Sequence, residues 1–229
     1  MSAADPLGAH DWHDATYVDR WIHDRVESDA GRRAQMRRLA SAIAVDRDEP
    51  LRVLDIGIGY GALTDELLRV FPSARVLGID FSEPMLERAS ENLASYHDQV
   101  AFAQADLQDP GWVDGLGEPF DAVVSSQAIH NVRYPERIRA IYAEIATVVA
   151  AGGCFMNLDI FSPPGDLAGA SYAAAAAGPD VAPPPITPRA APPLPIREHL
   201  AWLDQAGFVD ADVVFKDLRQ ALIVGYREE

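Results

Sequence analysis

Residues 53–64 read VLDIGIGYGALT, and their reading decides the fold. Apolar residues lead into Gly57, Gly59 and Gly61, and a helix-forming run follows. Glycines let the backbone turn tightly and approach a ligand closely at a helix N-terminus. The loop alone does not choose a ligand. Gly57, Gly59 and Ala62 also satisfy the G-x-G-x-x-A pattern of dinucleotide-binding proteins.

Working outward, residues 51–56 read as a buried strand and 62–71 as a helix. Residues 75–79 give the next strand. Ser82 reads as an N-cap, with Glu83 and Pro84 in the first helical turn and Met85, Leu86, Ala89 and Leu93 facing inward. Residues 100–103 and 120–125 read as strands. Pro135 opens a helix that Gly152-Gly153 is expected to end, before a fifth strand at 154–160. Residues 196–206 form a helix ended by Gly207. Residues 208–215 and 220–226 then read as an antiparallel hairpin. The alternation implies an α/β fold with a mostly parallel sheet, whose central strands are apolar throughout.

Two segments stand apart. Residues 14–44 read as one or two helices, with Tyr17, Trp21 and Ile22, then Met36, Leu39 and Ile43, at helical spacing. The expected division is a helical cap over 1–45 and a Rossmann-like domain over 46–229. Residues 162–195 hold ten of the chain's 17 prolines. They read as a long loop, with a short alanine-rich helix at 167–177. It is either a lid or a plain excursion.

The chain has 229 residues and a formal charge of −16. That charge repels phosphate backbones, so neither nucleic acid nor an anionic membrane is an expected partner. Arg32, Arg33, Arg37 and Arg38 are read as a solvated helix face rather than an anion site. No apolar run approaches the ~20 residues that span a bilayer, and residues 1–13 lack a secretory pattern. The single cysteine, Cys154, is expected in the core, and the compartment is expected to be cytoplasmic. His10, Asp11, His13 and Asp14 meet no zinc spacing, so no metal is expected.

Asp55 bears on the ligand. A carboxylate under the loop would oppose a pyrophosphate, at a cost of about 1 kcal/mol in water and ~4 kcal/mol at a partly buried site for charges ~4 Å apart. It favours a ligand with an ammonium and a sulfonium, as in S-adenosylmethionine. Asp80 ends the second strand and suits a ribose diol, in that ligand or in NAD. Ala105, Asp106 and Leu107 follow the third strand, where Asp106 suits the adenine amino group. Phe81 and Met85 offer apolar contact, although Met85 reads equally as helix core.

Together these segments resemble the class I S-adenosylmethionine-dependent methyltransferases. The resemblance rests on Asp55 with Gly57, Gly59 and Gly61, on Asp80, and on Ala105-Asp106. It extends to residues 120–132, 148–160 and 202–208, with Ala150-Ala151 where the family usually has Lys-Pro. It implies a Rossmann-like, doubly wound seven-stranded sheet of order 3-2-1-4-5-7-6, with strand seven antiparallel. It further implies S-adenosylmethionine as cofactor, S-adenosylhomocysteine as product, and methyl transfer to an O, N or C nucleophile of a small-molecule acceptor. His130, after strand four, is the candidate base or else packs beside the cofactor. Gln127 and Tyr17 are expected at the cofactor. Trp21 and Asn131 are expected at the substrate pocket, unless Tyr17 and Trp21 form an ordinary helix stripe. Ser125, Ser126 and Gln127 supply no magnesium site of the catechol-methylating type. Two other readings stay open: a protein that binds the cofactor for a non-methylating or regulatory purpose, and an NAD-dependent oxidoreductase.

Overall fold

Val53, Leu54, Asp55 and Ile56 are all buried, on consecutive positions rather than alternate ones. A strand with both faces covered has this signature, and it belongs to the centre of a parallel sheet. The computed structural model describes residues 11–26, 30–178 and 194–229. The strands are β1 (Arg52–Ile56), β2 (Arg75–Asp80), β3 (Val100–Gln104), β4 (Phe120–Ser126), β5 (Val149–Ile160), β6 (Val209–Asp217) and β7 (Gln220–Tyr226). Their order in the sheet is β3-β2-β1-β4-β5-β7-β6. β7 runs antiparallel to both β5 and β6. The helices are α1 (Ala15–Val26), α2 (Ala30–Ala42), α3 (Ala62–Val70), α4 (Glu83–Asn92), α5 (Pro135–Val148), α6 (Asp166–Ala177) and α7 (Ile196–Gln205).

The chain forms two compact units, residues 1–106 and 107–229. In the first, β1 pairs with β2 and β2 with β3, both parallel. Ser82 caps α4, its Oγ accepting from the Met85 amide at 3.2 Å. The arginine cluster of α2 is only in part a solvated face: Arg37 and Arg38 are exposed, yet two of the arginines pair with acids of α3. Arg33 binds Asp65 at 2.7 Å and Glu66 at 3.1 Å, and Arg37 binds Glu66 at 2.8 Å. The Glu66 carboxylate is buried, and its charge requires these partners. α1 is tied to α4 by a two-pronged Asp19–Arg88 pair at 2.7 and 3.0 Å.

In the second unit, β4 pairs in parallel with β5. Gly152-Gly153 does not end α5. The helix stops at Val148 and passes directly into β5. The glycines lie inside the strand, where the register shifts from Phe120↔Val149 to Ala122↔Cys154. A Cβ on Gly153 would stand 2.8 Å from the Asp121 carbonyl oxygen, so close backbone approach demands glycine there. α6 forms close to its expected place, and none of its residues is buried. The base of the proline-rich excursion is closed by a Ser162↔Pro195 bridge and a Ser162 N–H to Leu194 carbonyl bond of 2.9 Å. The choice between lid and plain excursion falls largely on residues 179–193, outside the described residues. Cys154 is in the core, and burial pushes its thiol up to about 12. Among the described residues, no helix is long and apolar enough to cross a membrane.

Candidate active site

The first unit builds a glycine cradle. Gly57, Gly59 and Gly61 have φ of 67°, 55° and 86°, a region that side-chain-bearing residues rarely adopt. At Gly61 a Cβ would also lie 2.7 Å from Leu93 Cδ1, whereas at Gly59 it would meet nothing within 4 Å. The loop is held from beneath by β2. The Gly57 and Ile58 amides donate to the Ile79 carbonyl at 2.8 and 2.9 Å. Asp80 receives the Gly59 amide on Oδ2 and the Ser82 amide on Oδ1, each at 3.0 Å. Burial pushes the Asp80 carboxyl up, against the pull of these N–H groups. Asp80 therefore shapes the loop as well as standing where a ribose was expected.

Asp55 lies deeper, 1% exposed. Its Oδ2 accepts the Thr64 hydroxyl at 2.7 Å, while its Oδ1 has no hydrogen-bond partner. Burial drives its pKa to about 7, the Thr64 bond opposes the rise and the Asp80 charge adds to it. A buried carboxylate oxygen without a donor is costly. A cationic donor would relieve it.

Around the cradle, Phe81 is half-buried and meets His13 edge-on at 5.4 Å. Met85 is 3% exposed and sits in the helix core. The Ala105 amide donates to the Asp80 carbonyl at 3.0 Å, which ties the end of β3 to the end of β2. Asp106 is half-buried at the last position of this unit. Tyr17 and Trp21 both pack edge-on against Trp12, at 5.4 and 5.1 Å. Trp21 also reaches Tyr60, inside the glycine loop, with 6.4 Å between ring centroids.

The second unit carries His130, the candidate base. His130 stands on a short 3-10 turn after β4. Its Nδ1 lies 2.5 Å from Asp159 Oδ1, and its amide donates to Asp159 Oδ2 at 3.1 Å. The Ile160 amide adds a third bond to Asp159 at 2.8 Å. Burial pushes the Asp159 carboxyl up, yet the His130 charge and these hydrogen bonds outweigh it and hold the group below the usual carboxylate range. Gln127 adopts φ 56° and its amide donates to the Leu158 carbonyl at 2.9 Å. Exposed Asn131 donates to the Gln127 carbonyl at 3.3 Å. The Leu107 carbonyl accepts from Arg137 Nε at 2.6 Å.

A family profile described as a methyltransferase domain matches residues 53–153. The strand order and the acid-flanked glycine cradle agree with that match. The comparisons support a class I S-adenosylmethionine-dependent methyltransferase. Among curated relatives, the malonyl-[acyl-carrier protein] O-methyltransferase of Halalkalibacterium halodurans is 39% identical over 80 residues, 35% of this chain and 29% of that protein. The demethylmenaquinone methyltransferase of Thermus thermophilus is 32% identical over 136 residues, 59% of each. The chain spans less than half the length of the malonyl-[acyl-carrier protein] methyltransferases it matches. Human N-acetylserotonin methyltransferase, solved with S-adenosylmethionine, superposes with a TM-score of 0.69 at 16% identity, over 100% of this chain and 61% of that one. At that identity the likeness concerns the fold.

Two residues escaped the sequence reading. Asp159 lies 29 residues from His130, and its only local signal is an acid inside the apolar run MNLDI. Tyr60 drew no attention beside the glycines. Its signal is a large aromatic in a loop otherwise built of small and apolar residues.

Proposed function

We propose that this chain transfers a methyl group from S-adenosylmethionine to a hydroxyl group of a small-molecule acceptor, with residues 1–45 as a helical cap on the transferase domain 46–229. The observation that carries the reading is Asp55 Oδ1, a buried carboxylate oxygen without a donor beneath a glycine loop. The residues fit a cofactor that bears an ammonium. Asp55 would accept from that ammonium, and Asp80 would accept from the ribose hydroxyls through lone pairs its two amide bonds leave available. Phe81, Met85, Ala105, Asp106 and Leu107 would contact the adenine side, with Gln127 and Tyr17 completing the cofactor contacts. Trp21 and Asn131 are assigned to the acceptor pocket. When bound, the cofactor supplies a methyl group on a positively charged sulfur.

His130 is proposed as the base. The Nδ1 hydrogen is assigned to the Asp159 bond, which leaves the lone pair of the neutral imidazole on Nε2. Asp159 then steadies the imidazolium that forms when Nε2 takes a proton. This equipment suits a hydroxyl, whose oxygen becomes a competent nucleophile only as its proton leaves. A protonated amine would need a base as well, whereas a carboxylate is already ionised at neutral pH.

Calorimetric titration tests the cofactor. S-adenosylmethionine and S-adenosylhomocysteine are expected to bind in the micromolar range and NADH not at all. Binding of NADH alone would replace the reading with an oxidoreductase. If the sulfur ligands bind but no acceptor yields S-adenosylhomocysteine, the chain is a cofactor-binding module instead.

A further inference from the structure

Tyr60 stands between Gly59 and Gly61, 7% exposed. Three helices meet on it. Its ring packs edge-on against Trp21 of α1 at 6.4 Å. Its hydroxyl accepts a hydrogen bond from Arg32 of α2, whose guanidinium also lies 5.5 Å from the ring centroid. Its carbonyl accepts from Asn92 of α4 at 3.0 Å. These helices are themselves anchored. α2 is clamped to α3 by Arg33 and Arg37. α1 is held on α4 by Asp19–Arg88, and the Trp12 carbonyl just before α1 accepts from Ser82 Oγ at 2.5 Å.

A loop with glycines at both neighbours of Tyr60 has wide conformational freedom, and a ligand that fixes it must oppose that entropy. A residue gripped from three sides, its side chain by Trp21 and Arg32 and its carbonyl by Asn92, removes the freedom in advance. We infer that Tyr60 is a positioning residue, through which the N-terminal helices hold the glycine loop in its ligand-ready shape. The cap thereby acts on the loop itself, in addition to any part it has in covering an acceptor. The inference rests on the reading that this loop holds S-adenosylmethionine.

The test combines amide hydrogen exchange of residues 57–61 in the ligand-free full chain with calorimetric titration of S-adenosylhomocysteine. The variants are Trp21→Ala, Arg32→Ala, Tyr60→Phe, Tyr60→Ala and their pairwise combinations. Trp21→Ala and Arg32→Ala should each speed loop exchange and weaken S-adenosylhomocysteine by about three- to tenfold, as coupled neighbours do. Both effects should vanish in the Y60A background. In the Y60F background, which keeps the ring but removes the hydroxyl, Arg32→Ala should lose most of its effect while Trp21→Ala keeps its own. Should Tyr60→Ala fail to fold, the Y60F comparison decides. Unchanged loop exchange in the single variants overturns the inference, as do effects that add undiminished to those of the Tyr60 variants. Failure of the unaltered chain to bind S-adenosylhomocysteine overturns the methyltransferase reading instead, and the exchange data still decide the wiring.

Discussion

The tripeptide Leu-Asp-Ile closes β1 at residues 54–56 and closes β5 at residues 158–160. In both places the aspartate is buried at the end of an apolar strand. Asp159 has three hydrogen bonds, two of them from His130, and is held in its ionised form. Asp55 has one, from a neutral hydroxyl, with the like charge of Asp80 nearby, and its pKa rises to about 7. One carboxylate is completed by the protein and orients the His130 ring, the proposed base. The other is left short of donors, as a site for a cationic ligand would be. Burial alone therefore does not fix the state of an acid; the supply of donors does.

Three substitutions probe that contrast. Asp159→Asn should have the largest effect, lowering kcat by about 10²- to 10³-fold because His130 loses its tautomer control and the support of its cation. The affinity for S-adenosylhomocysteine should stay within about twofold, since a residue acting through a base has no part in ground-state cofactor binding. Steady-state kinetics beside calorimetry checks this; kcat unchanged would make the Asp159 pair a packing feature only.

Asp55→Asn should act in the opposite sense on stability. The native carboxyl titrates at about 7 and an unfolded one near 4. Between those values the native state holds the extra proton, so the wild-type chain loses stability as pH rises from ~4 to ~7 and levels off above. The shift corresponds to an upper bound of about 4 kcal/mol. In ligand-free urea melts the variant should match wild type near pH 4 and be the more stable protein at pH 8. Its affinity for S-adenosylmethionine should nevertheless fall. A variant less stable than wild type at pH 8 would show that Asp55 is fully satisfied without ligand.

Asp80→Ala should give the smallest change, about tenfold in S-adenosylmethionine affinity together with about 1–2 kcal/mol of stability. Both the Gly59 and the Ser82 amides lose their acceptor. Thermal melts beside titration separate the two effects. Weakened binding with an unchanged melt would assign Asp80 to the ligand alone.

Much of the frame was legible locally. Apolar runs gave the parallel strands, and Ser82 followed by Glu83-Pro84 marked the α4 start because a hydroxyl cap acts within three residues. The glycine cradle was legible because positive φ at Gly57, Gly59 and Gly61 is a local backbone demand. Gly152-Gly153 misled because the same residue type serves helix ends and strand irregularities. Only the approach of the Asp121 carbonyl separates the two uses. The pairing of Arg33 and Arg37 was not legible, because their partners, Asp65 and Glu66, lie about thirty positions away on α3.

By itself the sequence determined the order of elements, the glycine loop and the acids that flank it, since periodicity, capping and backbone freedom act over a few residues. The tertiary structure alone decided that His130 meets Asp159, that Tyr60 joins three helices, and that the two copies of Leu-Asp-Ile differ in how readily their acids ionise. Hydrogen bonding and desolvation depend on what the fold brings within about 3 Å, and no local pattern carries that information.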